Sequence, residues 1–205
     1  MFSLNAVNLS RKFGQRTVFP GINLELKTGE SIAITGPNGS GKSTLLKLLI
    51  NLVRPTSGEV THCFNGKILD ESKFRANVSF VAPYLNHYDQ LSGEENLQFF
   101  AAVRGGNITG KEIDSLLDKV GLANRGLDLV ATYSTGMKQR LKYAVALSNQ
   151  PQFLFLDEPM SALDDEGKSM VTKIIDEFRD QCIIVLATNE IKEYALGRLQ
   201  CRLGQ

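Results

Sequence analysis

The sequence predicts an α/β fold: a parallel-sheet core with an N-terminal antiparallel β subdomain and a small helical insertion. Three observations predict it. The apolar, β-branched run SIAIT at 31–35 leads through a glycine-rich turn into the helical run LLKLLI at 45–50. Two further apolar runs, FLFLD at 153–157 and CIIVLAT at 182–188, have the length and content of buried parallel strands. Before all of these, short runs separated by turn residues fill the N-terminal region, as antiparallel strands do.

Taken in order, Phe2, Leu4 and Ala6 alternate with Ser3, Asn5 and Val7, which describes a strand with one face better buried. After the turn signal Lys12-Phe13-Gly14-Gln15, runs at 17–19 and 22–26 read as two more strands, and Thr28-Gly29-Glu30 as a turn. The helix that follows residue 44 is expected to end near 51–55, because Pro55 pushes Arg54 out of helical geometry. Residues 59–64 form a strand, Asn65-Gly66 a hairpin turn and 67–70 the return, with His62 at the surface. A compact strand at 78–81 stops at Ala82-Pro83.

The polar loop 84–91 then opens the helical insertion. Leu97, Phe100 and Ala101 mark one helix over 93–104, and Ile113, Leu116, Leu117 and Val120 mark a second over 111–120, with Gly105-Gly106 between them. His87, at the entrance, is expected to face a partner. A third helix over 138–148 is read as basic and solvated on one side (Lys138, Arg140, Lys142) and apolar on the other (Leu141, Val145, Leu147). Met170, Val171, Ile174, Ile175 and Phe178 make 167–178 an amphipathic helix, and 198–203 adds an edge strand to the central strand at 182–188.

Bulk properties exclude several classes. A chain of 205 residues, 42% hydrophobic and 22% charged, fits one large domain or a core with a small subdomain. A net charge of +1 supplies no bulk attraction to a polyanion, so no nucleic-acid partner is expected. Cys63, Cys182 and Cys201 lack CxxC spacing and read as reduced core thiols. With neither a signal-peptide stretch nor a membrane-length apolar window, the chain is expected in the cytoplasm, reaching a membrane only through a partner.

The chemistry centres on GPNGSGKST at 36–44, flanked by strand and helix as a phosphate-binding loop requires. Gly36, Gly39 and Gly41 admit backbone conformations that a Cβ forbids, so successive N–H groups can turn around a phosphate at the positive end of the helix. Pro37, Asn38, Ser40 and Thr44 complete the loop. Lys42 would reach the β- and γ-phosphates, and Ser43 would offer its hydroxyl to Mg²⁺. The strand in FLFLDEP delivers Asp157 to the C-terminal edge of a parallel sheet, where ligands of open α/β folds sit and where an aspartate holds Mg²⁺. Glu158 points to the other side of the chain, positioned to polarise an attacking water. Phe13, in its loop, is a candidate to stack on an adenine ring.

Over essentially its whole length the sequence resembles the ATP-binding subunits of ABC transporters. GPNGSGKST matches the family's Walker A, YSTGM at 133–137 a variant of its LSGGQ signature, FLFLDEP at 153–159 its Walker B, and SALD at 161–164 its D-loop, in the family's order and with its short signature-to-Walker B gap. The resemblance implies a P-loop NTPase (RecA-like) core and a single ABC-type ATP-binding domain over 1–205, with a helical subdomain at about 84–148. It implies ATP and Mg²⁺ as ligands, with Glu158 and Lys42 as the main contributors to hydrolysis.

The same resemblance implies a homodimer, or a pseudo-dimer with another ABC subunit. Ser134 and Gly136 of one subunit would touch the γ-phosphate held by the other. It further implies a separately encoded transmembrane permease subunit, which would hold the chain at the inner face of the cell membrane. Three departures stand out: Asn189 occupies the place of the switch histidine, Pro83 falls near the place of the glutamine that senses Mg²⁺, and Thr135 and Met137 replace a glycine and a glutamine. Hydrolysis is therefore expected to be slow. A degenerate ATP sensor and a soluble non-transport ABC ATPase are the alternatives.

Overall fold

The computed structural model describes residues 1–204. Two long antiparallel strands, β1 (Phe2–Phe13) and β2 (Arg16–Lys27), open the chain and turn at Gly14. The two short strands expected at 17–19 and 22–26 are therefore one. Register shifts on β1, with Asn8 at φ +47°, absorb the irregularity opposite Pro20-Gly21. Because β2 is the sheet edge, a proline without an N–H breaks no ladder on its outer side.

After β3 (Ser31–Thr35) comes α1 (Lys42–Leu49), which stops earlier than the proline argument predicts. Asn51 takes φ +59°, and the N–H of Leu52 returns to the carbonyl of Lys47 at 2.9 Å, a Schellman-type stop. A left-handed asparagine thus ends the helix before Pro55 is reached. β4 (Ser57–Phe64) and β5 (Lys67–Ile68) join through Asn65 (φ +49°) and Gly66 (φ +76°), the two positive φ angles that an Asn-Gly hairpin turn needs. The antiparallel order is β2-β1-β4-β5.

The helix α2 (Glu71–Asn77) has no counterpart in the sequence reading, because Phe74 is its single buried residue and one apolar side chain makes no period. Then follow β6 (Val78–Val81), α3 (Gly93–Val103), α4 (Gly110–Lys119), α5 (Thr135–Leu147), β7 (Phe153–Asp157), α6 (Asp165–Phe178), β8 (Ile183–Thr188) and β9 (Leu199–Arg202). The second sheet is wholly parallel, in the order β6-β7-β8-β3-β9. Its two faces are separated by the period of two. Phe153 and Phe155, Ile183 and Val185, and Ile32 and Ile34 pack with α1 and the antiparallel sheet. Leu154 and Leu156, Ile184 and Leu186, and Ala33 pack instead with α3 to α6. Each fully buried Phe or Leu contributes about 2 kcal/mol of hydrophobic free energy.

Two polar assignments change. His62 is buried, not at the surface: its ring stacks on Phe74 at 3.6 Å, and its Nε2–H donates to the carbonyl of Leu49 at 2.8 Å. Burial lowers its pKa to about 4, against the pull of that hydrogen bond. The cations of α5 also do not form one solvated stripe. Lys138 pairs with Asp89 at 2.7 Å and Lys142 donates to the carbonyls of Ala82 and Pro83, whereas Arg140, 7% exposed, donates to Asp164 at 2.9 Å and Glu166 at 3.3 Å. At 100° per residue, positions 138 and 142 share a face and 140 points away from both. His87 is half-buried, its ring edge-on to Phe100 at 6.0 Å. Cys63 and Cys182 are buried and Cys201 partly so, all three as free thiols.

Candidate nucleotide-binding site

Because the second sheet is parallel, Thr35, Val81, Asp157 and Thr188 all end at one edge, and the segments that follow them meet there. The loop after β3 is shaped by close approach. Gly41 lies at φ +99°, and a Cβ on it would stand 2.4 Å from Val18 Cγ1; Gly36 lies at φ +144°, where a Cβ would stand 2.5 Å from the carbonyl oxygen of Leu203. Neither position accepts a side chain on either count.

α1 begins differently from the other helices. Asp70, Ser92, Thr109, Ser134 and Asp164 cap α2 to α6 with side-chain oxygens, while α1, among the described residues, has no side-chain cap and no acidic residue in its first turn. Its leading N–H groups and positive dipole end are thus left to an anion. Ser40 Oγ, in the same loop, is buried without a partner. Lys42 Nζ donates to the carbonyls of Gly36 at 2.9 Å and Pro37 at 3.2 Å. This donor set fits a polyphosphate.

Asp157, 1% exposed, closes the other side. Ser43 Oγ donates to its Oδ1 at 2.9 Å, a bond between residues 114 positions apart, and the Tyr84 hydroxyl lies 3.3 Å from its Oδ2. The Lys47 ammonium sits 4.3 Å from the centre of the Tyr84 ring. Burial raises the Asp157 pKa, opposed by the bonds from Ser43 and Tyr84 and by Lys47 and Lys42. A hydroxyl and a carboxylate are hard oxygen donors suited to Mg²⁺, whose remaining ligands would be phosphate oxygens and water. Among the described residues no cluster of three His, Cys, Asp or Glu side chains competes with this pair.

Glu158 takes φ +47°, a left-handed conformation costing a non-glycine residue roughly 1–2 kcal/mol. Its N–H donates to the Ala187 carbonyl at 2.8 Å. The residue borders two cavities. One, of about 460 Å³, is lined by Phe13, Asn38, Gly39, Gly41, Lys42, Ser43 and Thr44; the other, of about 700 Å³, by Ser161, Ala162, Asn189 and Glu193. Burial raises the Glu158 pKa, Lys42 lowers it, and Glu193 and Asp157 raise it further.

The structure therefore gathers Phe13, the 36–44 loop, Asp157, Glu158 and Asn189. Phe13 lies at the last position of β1 instead of in a loop, 55% exposed, with the Arg11 guanidinium 4.5 Å over its ring. Asn189 Nδ2 donates to Asn38 Oδ1 at 2.9 Å. Ser134 and Gly136 stand apart from the cavity beside the loop. Ser134 Oγ accepts from the Met137 N–H as the cap of α5, and a Cβ on Gly136 would make ordinary contact with the Ala162 carbonyl. Tyr84 and Glu193 escaped the sequence reading; the only signal for Tyr84 was its place beside Pro83, after a strand bound for the same sheet edge.

The family profile described as ABC transporter matches residues 19–161. The chain is 35% identical over 189 residues to the lantibiotic transport ATP-binding protein SrtF of Streptococcus pyogenes, covering 92% of this chain and 80% of that one. It is 30% identical over 194 residues to the linearmycin resistance ATP-binding protein LnrL of Bacillus subtilis, covering 93% of this chain and 62% of that one. Among solved structures, the dimeric post-hydrolysis state of the ATP-binding cassette MJ0796 bound to ADP and Pi superposes with a TM-score of 0.83 at 27% identity, over 99% of this chain and 94% of that chain. The chain belongs to the ABC transporter family, among its ATP-binding subunits.

Proposed function

We propose that this chain, read as one ATP-binding domain over 1–205 with a helical part at about 84–148, hydrolyses ATP at a site shared by two subunits. Gln205 lies outside the described residues. The single observation that carries this reading is the 2.9 Å hydrogen bond from Ser43 to Asp157, which joins the phosphate loop to the carboxylate-bearing strand end. Lys42 and the N–H groups opening α1 bind the phosphates, and Phe13 stacks on the base. Ser43 and Asp157 would hold Mg²⁺, which supplies charge neutralisation on the phosphate oxygens. Glu158 orients and deprotonates the attacking water, its raised pKa suiting a base. Ser134 and Gly136 complete the site of the opposite subunit, which is a second copy or another ABC subunit. A separately encoded permease takes up the closing motion at the inner face of the cell membrane; among the described residues no helix is long and apolar enough to cross a membrane. Asn189 contributes an amide to the γ-phosphate side and no positive charge, so turnover is slow.

The test is steady-state phosphate release by the protein together with its membrane partner. Glu158→Gln is expected to lower turnover by about 10²- to 10³-fold while retaining ATP binding, and Lys42→Ala to lose ATP binding as well. Wild-type turnover in Glu158→Gln would overturn the assignment of the base.

A further inference from the structure

We propose that Tyr84 is a positioning residue that orients Asp157 toward the divalent cation. The proposal deepens, and rests on, the reading of Asp157 and Ser43 as the cation's protein ligands. A carboxylate turns readily about its last torsion, where the preference is broad and two-fold. Here each oxygen has its own donor: Oδ1 faces the Ser43 hydroxyl at 2.9 Å and Oδ2 the Tyr84 hydroxyl at 3.3 Å, a long contact for such a pair.

The phenol, 47% exposed, is held by two side chains and by the tether of its loop. Lys47 of α1 lies 4.3 Å over its ring, and Phe80 meets the ring edge-on at 6.2 Å. The two residues before Tyr84 are tied to α5, since Lys142 Nζ donates to the carbonyls of Ala82 at 3.2 Å and Pro83 at 2.8 Å. Tyr84 thus connects α1, the end of β7 and, through its loop, α5. Groups that hydrogen-bond a metal-ligating carboxylate fix its orientation, and their loss typically weakens metal affinity by about 10- to 100-fold. No glutamine stands between Val81 and Tyr84, and the phenol supplies an O–H donor in that segment.

The test compares the affinity for AMP-PNP in EDTA with that in Mn²⁺, by titration calorimetry, for wild type, Tyr84→Phe, Asp157→Asn and the double variant. Phenylalanine keeps the ring and removes only the donor. Tyr84→Phe is expected to leave the affinity in EDTA unchanged and to lose about tenfold of the gain that Mn²⁺ confers. Asp157→Asn is expected to lose that gain, with no further loss in the double variant. If Tyr84→Phe keeps the full gain while Asp157→Asn loses it, the role of Tyr84 is overturned and that of Asp157 stands. If Asp157→Asn keeps the gain, the Asp157 reading fails and the Tyr84 proposal with it.

Discussion

Glu193 lies close enough to Glu158 to raise the cost of ionising that carboxyl beside a phosphate loop. Glu193 is 6% exposed and its Oε2 has no hydrogen-bond partner. The Glu158 pKa is raised first by burial and, after the opposing effect of Lys42, by the charges of Glu193 and Asp157. A base works only when ionised. ATP turnover should therefore decline as pH falls through this raised value, above the ordinary glutamate range near about 4.3. Removing the Glu193 charge removes one of the raising effects, so Glu193→Gln should move the acid limb of the pH profile of kcat/KM to lower pH. A limb that stays in place or moves up would show that Glu193 does not act on the base. That Lys42, Ser43 and Glu158 border one cavity was legible in the sequence because their motifs are contiguous. Tyr84 and Glu193 were not, because what distinguishes them is a neighbour far along the chain.

At the scale of elements, α5 carries the most consequential correction. Its apolar spacing located the helix, but alternate cations at 138, 140 and 142 cannot lie on one side of it. Lys138 and Lys142 bind the 82–91 loop, while Arg140 bridges to Asp164 and Glu166 at the start of α6 and to the Val120 carbonyl at 3.4 Å. The turn at Gly121, φ +71°, admits that arginine because a Cβ there would lie 2.3 Å from its Nη1. Arg140→Ala should cost about 2 kcal/mol, from lost charge-assisted bonds and side-chain packing, since the two acids it abandons remain solvated. Lys138→Ala, breaking a surface pair, should cost less than about 1 kcal/mol. Urea denaturation of the two variants checks this; equal losses would contradict the burial argument.

At the scale of the molecule, the all-parallel order β6-β7-β8-β3-β9 gathers the ends of β3, β6, β7 and β8 onto one edge, and the end of β1 brings Phe13 to it from the antiparallel sheet. Ser134 and Gly136 lie at the start of α5 beside Ala162, outside the cavity next to the phosphate loop, and the proposed shared site puts them against the phosphates of the opposite subunit. Glu158→Gln with ATP and Mg²⁺ should accordingly dimerise. Adding Gly136→Asp should abolish the dimer while leaving the monomer's ATP affinity within about twofold, because Gly136 does not line the cavity beside the phosphate loop. Size-exclusion chromatography with light scattering, paired with nucleotide titration, reads both. A dimer that survives the aspartate would place the signature outside the interface.

The sequence by itself determined what neighbouring residues decide among themselves. The strand, glycine loop and helix at 31–50, the Asn65-Gly66 hairpin, the strand ending in Asp157, and the parallel core all follow from local geometry and from periods of two and 3.6. Only the tertiary structure decided that His62 is a core residue, that Arg140 ties two helices together, and that the Tyr84 hydroxyl joins Ser43 at Asp157. Those outcomes depend on desolvation and on contacts between distant segments, and the energy of a polar side chain is set by the partners it meets inside the fold. The phosphate loop could be read in advance because its chemistry is written in adjacent backbone groups, whereas the carboxylate opposite it is positioned by side chains that only folding brings within reach.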